Sequence, residues 1–221
     1  MFEVQPHSDE INGYLSNAKM LRPELEQIDG FVDNIRYRSL TRDGWILSLS
    51  GWRDEKALVR WRTHAAHHDV QQQGRDGLLS DYHLRVGQIT ADTEIPAGQQ
   101  LREQRLDQTE VGEGTTAVLI TAHSETDPSA ASDAAAALGL QPDANGLVFW
   151  DLYTAVLAPG DLLLHTVWRD PESAQSLNPP RLDQRRRQVR IIRDYTKNDR
   201  REAPQYYPPT TEAKFSVTNT P

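Results

Sequence analysis

Three of the seven histidines in this 221-residue chain stand close together, within residues 61–68. Imidazoles act as general bases near neutral pH and as metal ligands. On a helix, His64 would lie beside both His67 and His68, because residues three or four apart are neighbours. The chain has no cysteine, and no carboxylate is spaced to complete a two-histidine zinc motif. We therefore predict no resident metal, and a partly exposed helix face is the alternative to a functional cluster.

A second group of side chains with chemical potential alternates along a predicted strand. Ser48, Ser50 and Trp52 occupy every second position, so they share one face of that strand and can line a pocket. Large aromatic side chains such as Trp52 and Trp61 also fill protein cores, and this packing role is the alternative interpretation.

The elements that position these residues occur twice in the chain. Residues 30–54 align without a gap with residues 146–170, and the triplet Trp52-Arg53-Asp54 coincides with Trp168-Arg169-Asp170. Internal similarity of this length indicates a duplicated domain. We therefore predict a first domain at residues 1–90, a connector at 91–114, a degenerate second copy at 115–196 and a proline-rich tail at 197–221.

Each copy is predicted to alternate strands and helices in one order. The first copy has strands at residues 2–6, 31–40, 45–52 and 81–90, and helices at 8–28 and 54–73. We expect Ser8 or Asp9 to cap the first helix and Asp54 the second. Asp43-Gly44 predicts a hairpin between two of these strands. This order is the ferredoxin-like βαββαβ unit, so the fold class is α+β.

The second copy repeats the pattern less completely. Strands are predicted at residues 118–123, 147–157, 161–168 and near 189–193, with a helix at 127–140. Three prolines between Asp170 and Arg185 exclude a long second helix.

The composition excludes several classes of protein. Thirty-two acidic residues against 24 basic ones leave a net charge of −8, which repels nucleic acid. No apolar stretch is long enough to span a membrane, and the first residues lack the basic start and apolar run of a secretory signal. With no cysteine, a cytoplasmic location is expected. The basic residues 181–193 are interpreted as the exposed edge of a strand or as a loop.

Separate blocks of the first copy resemble the antibiotic biosynthesis monooxygenase family of dimeric α+β barrel proteins. The blocks are residues 21–31, 47–55, Trp61-Arg62 followed by His67, and residues 81–86. The resemblance covers about residues 2–90. It implies that two ferredoxin-like domains form an intramolecular dimeric α+β barrel, giving a monomeric pseudo-dimer; further homodimerisation is left open.

The resemblance also implies a function in the first domain. One branch of the family consists of cofactor-independent monooxygenases that act on aromatic, polycyclic molecules with dioxygen. Trp52 matches a family tryptophan, whereas Ser48 and Leu58 stand where the family has Asn and Tyr. On this basis His67 and Asn34 are the predicted catalytic residues. The predicted substrate-binding residues are Trp52, Trp61, Tyr37, Ser48, Arg36 and Tyr82.

Two alternatives accompany this interpretation. His67 after Trp61 resembles the axial ligand of a haem-degrading branch, which would make this protein haem-binding. That branch carries an Asn in its first strand, which residues 2–6 lack, and its tryptophan-to-histidine spacing is longer. The second alternative is a non-catalytic protein that binds a small molecule.

Overall fold

The computed structural model describes residues 1–201 except 65, 68–69, 71–73, 103–111, 126–129, 178–180 and 182. Residues 103–111 of the predicted connector and most of the proline-rich tail therefore lie outside the described residues, as does His68.

The described chain contains eight strands and three α-helices. In the first half these are β1 (Phe2–Pro6), α1 (Ile11–Glu26), β2 (Phe31–Ser39), β3 (Ile46–Trp52), α2 (Glu55–Arg62) and β4 (Leu79–Asp92). In the second half they are β5 (Thr116–His123), α3 (Ala131–Ala137), β6 (Leu147–Ala155), β7 (Asp161–Trp168) and β8 (Arg185–Thr196). A π-helical turn at Gly74–Leu78 precedes β4, and a 3-10 helix at Ser173–Ser176 follows β7.

All eight strands join in one closed antiparallel barrel, in the order β1-β3-β2-β6-β7-β5-β8-β4. Each half contributes four neighbouring strands, β4-β1-β3-β2 and β8-β5-β7-β6, which run in the same relative order. The halves meet where β2 pairs with β6 and where β4 pairs with β8. The α+β class predicted from the sequence is confirmed, because one large antiparallel sheet carries the helices on its outer face.

Local sequence signals account for most element boundaries. Gly44 has a φ of 73° in the predicted Asp-Gly hairpin, a conformation that favours glycine. Asp54 caps α2 as predicted, since its Oδ1 accepts a hydrogen bond from the Ala57 amide at 2.8 Å. Gly139, with a φ of 99°, follows α3 and stops the helix that was predicted to continue to residue 140.

Two predicted helix boundaries were wrong. The first helix is preceded by Glu10, and no side chain caps it, because residues before it form a turn in which the Glu10 amide bonds to the His7 carbonyl at 2.8 Å. The helix predicted for residues 54–73 is interrupted, because α2 ends at Arg62, where the hydroxyl of Thr63 bonds back to the Val59 carbonyl at 3.0 Å. Residues 65, 68–69 and 71–73 of that prediction lie outside the described residues.

From Arg185 onwards, the basic stretch interpreted as an exposed edge or loop is instead an interior strand. β8 pairs on one side with β4 and on the other with β5, so barrel closure removes the edge. Arg187 is only 7 % exposed, and Arg185 forms a two-point ion pair with Asp92 at 2.7 and 3.0 Å. The pairing of β8 with β4 joins residues far apart in sequence, which strand propensity does not reveal.

A buried ion network crosses the barrel interior and joins the two halves. The Glu3 carboxylate accepts hydrogen bonds from Arg85 at 2.6 Å, Arg42 at 2.5 Å and the Tyr153 hydroxyl at 2.8 Å. Arg42 also bonds to Asp151 at 2.7 Å. Burial alone would raise the pKa of Glu3, but the neighbouring positive charges and the Tyr153 hydrogen bond lower it to about 2. This carboxylate is therefore ionised inside the barrel.

Candidate active site

A cavity of about 410 Å³ is lined mainly by the helix-covered face of the first half, and residues of β5 and β8 in the second half, among them Leu119, Arg187 and Val189, also contribute to its lining. Its walls come from β2 and β3 on one side and from α1 and α2 on the other, and residues of β4 extend it. Seven of the eight residues predicted from the sequence to form a site line this cavity: Asn34, Arg36, Ser48, Trp52, Trp61, His67 and Tyr82. Leu21, Leu25, Leu58 and Leu78 give much of the lining an apolar character.

One wall of the cavity is the face of β3 that carries Ser48, Ser50 and Trp52. The indole Nε1 of Trp52 donates a hydrogen bond to the Ser50 hydroxyl at 2.9 Å. The Phe31 ring meets the indole edge-on, with 5.5 Å between ring centroids. These contacts fix the indole, so the shape of this wall is set before a ligand enters.

Asn34 lies next to Ser48 across the β2–β3 ladder. Its Nδ2 donates to the Ser48 hydroxyl at 2.9 Å and lies 3.4 Å from the Leu49 carbonyl. The amide nitrogen is therefore occupied by protein groups, which orients the side-chain oxygen as an acceptor. The family that the sequence resembles has an asparagine at the position of Ser48. In this chain the side-chain amide of Asn34 reaches that position from the neighbouring strand.

The opposite wall carries Trp61 and His67. The imidazole of His67 stacks on the indole of Trp61 with 4.2 Å between centroids and 14° between planes. Its Nδ1 donates a hydrogen bond to the Trp61 carbonyl oxygen at 2.9 Å, because a carbonyl can only accept. In the neutral ring Nε2 is then the nitrogen that can take a proton.

Arg36 and Tyr14 form a polar corner of the cavity, to which α1 contributes Tyr14. Burial raises the pKa of Tyr14, while the positive charge of the neighbouring Arg36 guanidinium opposes that shift. The Nε of Arg36 is buried and makes no hydrogen bond to any described residue. The sequence missed Tyr14, because its helical spacing with apolar neighbours is typical of a core position.

Tyr37 and Tyr82 are the remaining predicted residues, and of these two only Tyr82 lines the cavity. Tyr82 lines the cavity and packs against Phe2, with 6.0 Å between ring centroids. Tyr37 is 3 % exposed and belongs to the barrel core with Leu47 and Tyr153, on the face of β2 opposite Arg36. Successive side chains of a strand point to opposite faces, so the grouping of Tyr37 with Arg36 is corrected.

Residues of the predicted connector also line the cavity, which sequence analysis missed. Ile95, Pro96, Gln99, Gln100, Leu101 and Arg102 contribute to its rim. Ile95 is 47 % exposed, and an apolar side chain at the mouth of a cavity was not distinguishable in the sequence from a linker residue.

In the second half, the tryptophan equivalent to Trp52 is Trp168, and other side chains pack closely around it. Trp168 donates from Nε1 to the Thr166 hydroxyl at 2.8 Å, which repeats the Trp52–Ser50 contact. Trp168, however, is fully buried. The side chains packed around it come from α3 and from the segment after β7: Ala135, Leu138, Ala174 and Leu177. The packing role that the sequence analysis considered for large aromatic side chains therefore describes Trp168, whereas Trp52 lines the cavity.

No three histidine, aspartate or glutamate side chains lie together as a metal-binding group within the part of the chain that the structure describes. His64, one of the clustered histidines, stacks on Trp61 with 5.8 Å between centroids and lies 3.3 Å from a carboxylate oxygen of Glu24. Among the described helices, none is long and apolar enough to cross a membrane.

Comparisons with known proteins bear on the whole chain. A family model described as antibiotic biosynthesis monooxygenase matches residues 1–73. Jasmonate monooxygenase ABM of Pyricularia oryzae is 50 % identical over 218 residues, which cover 96 % of this chain and 98 % of that protein.

Solved structures are similar at a lower level. A putative monooxygenase from Fusobacterium nucleatum matches with 13 % identity and a TM-score of 0.35, over 87 % of this chain and 91 % of that one. An anthrone oxidase-like protein matches with 9 % identity and a TM-score of 0.35, over 92 % of this chain and 94 % of that one. Scores at this level bear on neither fold nor function.

Proposed function

The chain belongs to the antibiotic biosynthesis monooxygenase family, and from that premise we propose that it is a monooxygenase whose substrate binds in the cavity between β3 and α2. The observation that carries the proposal is the cavity itself, which brings Trp52 and Ser48 of one wall opposite Trp61 and His67 of the other. Its volume, about 410 Å³, falls within the range of about 300–1,000 Å³ usual for small-molecule sites.

The proposed substrate class is a small, mostly apolar carboxylate of the jasmonate type. Jasmonate is a cyclopentanone that carries a carboxylate and an unsaturated hydrocarbon chain. A relative with 50 % identity is named for it, and the lining supplies leucines for the apolar body and Arg36, Asn34 and Ser48 for polar groups. The aromatic substrate expected from the sequence has not been tested. Our proposal instead names a jasmonate-type carboxylate as the substrate.

The proposed chemistry begins with proton transfer to His67. Nε2 removes a proton from a CH₂ group beside the substrate carbonyl, which leaves an enolate. The enolate carbon forms a bond to one atom of dioxygen, and a proton completes a hydroperoxide. Loss of the second C–H proton and cleavage of the O–O bond then give a new carbonyl and water. The carbon supplies all four electrons, so CH₂ and O₂ yield C=O and H₂O without an organic cofactor or an external reductant.

The walls support this chemistry by excluding water. The stacked rings of Trp61 and His67 and the fixed indole of Trp52 present apolar surfaces to the reacting centre. A low-dielectric cavity strengthens the interactions of an enolate with nearby hydrogen-bond donors and protects the hydroperoxide from side reactions.

We further propose that the barrel consists of two ferredoxin-like units in one polypeptide, the second of which serves as the fixed partner of the first. The equal strand order of the halves and the repeated tryptophan contacts support this arrangement. The expected species is a monomer of 25.0 kDa, which sedimentation velocity measures directly. A stable dimer at micromolar concentration would contradict the expected monomer, although a barrel closed within one chain is compatible with the further homodimerisation that the sequence left open.

Oxygen consumption by the purified chain tests the proposed function. With jasmonate, a metal chelator and no added reductant, we expect one O₂ consumed for each product molecule. Consumption that requires haemin, with a Soret band lost in His67→Ala, would select the haem alternative instead. A rise in melting temperature with jasmonate but no oxygen consumption would select the non-catalytic binding protein.

A further inference from the structure

Arg36 is a cavity arginine without a carboxylate partner among the described residues. Its guanidinium lies close enough to Tyr14 to lower the pKa of that hydroxyl against the effect of burial, and its buried Nε has no hydrogen-bond acceptor among the described residues. Three of the other arginines that line the cavity are neutralised by ion pairs: Arg85 by Glu3 and Asp194, Arg185 by Asp92, and Arg53 by Asp29 and Asp54. A partly buried cation with an unused donor is a binding position for an anion.

We propose that Arg36, together with Tyr14, binds the carboxylate of the substrate. This inference rests on the proposed function for the identity of the ligand. Arg36 presents a planar fork of N–H donors that matches a carboxylate, and the neighbouring Tyr14 hydroxyl can donate its own proton to the same ligand.

The strand register places this corner at one end of the cavity. Arg36 is paired with Ser48, and Trp52 lies four residues further along β3, a distance of about 13 Å at about 3.3 Å per residue. Trp61 packs with Leu21 and Leu25 near Trp52, whereas Tyr14 packs near Tyr82. The carboxylate is therefore held at one end while the reacting carbon lies towards Trp61 and His67.

Arg187 is the competing candidate. It is 7 % exposed, lines the same cavity and also has a buried Nε without a hydrogen-bond partner among the described residues. It differs because it belongs to the barrel side of β8 with Val189, and because the carboxylates of Asp33 and Asp92 partly offset its charge. Arg36 instead shares the face that carries Asn34.

Substitution of Arg36 by glutamine tests the proposal, and Arg38→Gln is the matched control. Arg38 lies two residues further along β2 and is exposed, outside the cavity lining. For jasmonate, Arg36→Gln should raise KM at least about tenfold, because it removes a charge-assisted hydrogen bond. The KM for the methyl ester of jasmonate should stay unchanged, Arg36→Lys should recover part of the acid affinity, and Arg38→Gln should behave as the unsubstituted chain.

Two results would overturn the proposal. One is an equal rise in KM for the acid and the ester in Arg36→Gln, and the other is an acid-specific loss in Arg187→Gln but not in Arg36→Gln. Calorimetric binding of jasmonate separates this inference from the proposed function. If the chain binds jasmonate without consuming oxygen, the catalytic proposal fails, and a weaker Kd for the acid in Arg36→Gln still supports the anchor. Absence of binding to the unsubstituted chain counts against the anchor itself.

Discussion

The imidazole of His67 lies parallel to the indole of Trp61 and donates a hydrogen bond from Nδ1 to the carbonyl oxygen of that same residue. The two contacts fix both the plane and the tautomer of the imidazole, so Nε2 is the basic nitrogen of the neutral ring. The His67 side chain therefore differs from a freely rotating surface histidine, because the Trp61 carbonyl of α2 sets the orientation of its ring.

Replacement of His67 by glutamine should lower kcat by about 10²- to 10⁴-fold, since it removes the proposed general base. The KM should change little, because the carboxylate anchor is elsewhere. His64→Gln is the matched control: this residue also stacks on Trp61, but it does not line the cavity. Steady-state oxygen consumption measures both variants, and equal activity of His67→Gln and His64→Gln would remove His67 from the mechanism.

The two repeated tryptophans should respond oppositely to truncation. Trp168→Ala empties a fully buried position and should cost about 3–5 kcal/mol in the free energy of unfolding. Trp52→Ala removes a cavity wall and should cost less stability but most of the activity. Urea unfolding and oxygen consumption distinguish the two effects. A larger stability loss for Trp52→Ala than for Trp168→Ala would contradict the assignment of an open cavity to the first half.

Acidification should destabilise the chain through His165. Burial lowers the pKa of this histidine to about 3, opposed by the charge of Glu3, and neither ring nitrogen has a hydrogen-bond partner among the described residues. An unfolded histidine titrates near pH 6.5, so below that pH the unfolded state binds a proton that the folded state does not. The stability is thus fully present above about pH 6.5 and is lost as pH falls towards 3.

The expected loss from His165 between pH 6.5 and 5 is about 1–2 kcal/mol, at up to about 1.4 kcal/mol for each pH unit. His165→Leu should flatten this part of the stability profile, because leucine has no proton to bind. His123→Leu is the control, since His123 is exposed and pairs with Asp161 at the surface. Denaturant titrations at several pH values provide the measurement, and profiles with the same slope for His165→Leu and the parent would refute the assignment.

The ion network in the barrel should be essential for stability. Glu3→Ala leaves the buried guanidinium of Arg85 without one of its two carboxylates, and such losses typically cost about 3–5 kcal/mol. Asp29→Ala breaks ion pairs with Arg53 and Arg60 at the surface and should leave stability close to that of the parent. Thermal unfolding of both variants compares them, and an equal effect would show that the barrel network is not selectively stabilising.

Short-range patterns in the sequence predicted much of this molecule. Alternation placed Ser48, Ser50 and Trp52 on one face, the Asp43-Gly44 pair predicted the β2–β3 hairpin, and Asp54 marked the start of α2. These features depend on residues near one another in the chain, where side-chain chemistry and backbone geometry determine the outcome.

Features that depend on long-range pairing were missed. Arg187 was expected at the surface but is buried, because the barrel closes around its strand. The β2–β3 register places the amide of Asn34 within hydrogen-bonding distance of Ser48. Tyr37 was grouped with Arg36 although alternation separates them, because the sequence does not reveal which face of β2 meets the second half. The approach of Tyr14 to Arg36 depends on how α1 crosses the sheet, which its periodicity leaves undetermined.

Isotope labelling tests the central claim most directly. Incubation of the purified chain with jasmonate under ¹⁸O₂, without reductant, should give a product that carries one labelled oxygen atom and has lost two hydrogens. His67→Gln should form this product far more slowly, and His64→Gln should form it normally. A product without label, or labelled product formed equally by His67→Gln, would contradict the proposal that this cavity activates its substrate for reaction with dioxygen.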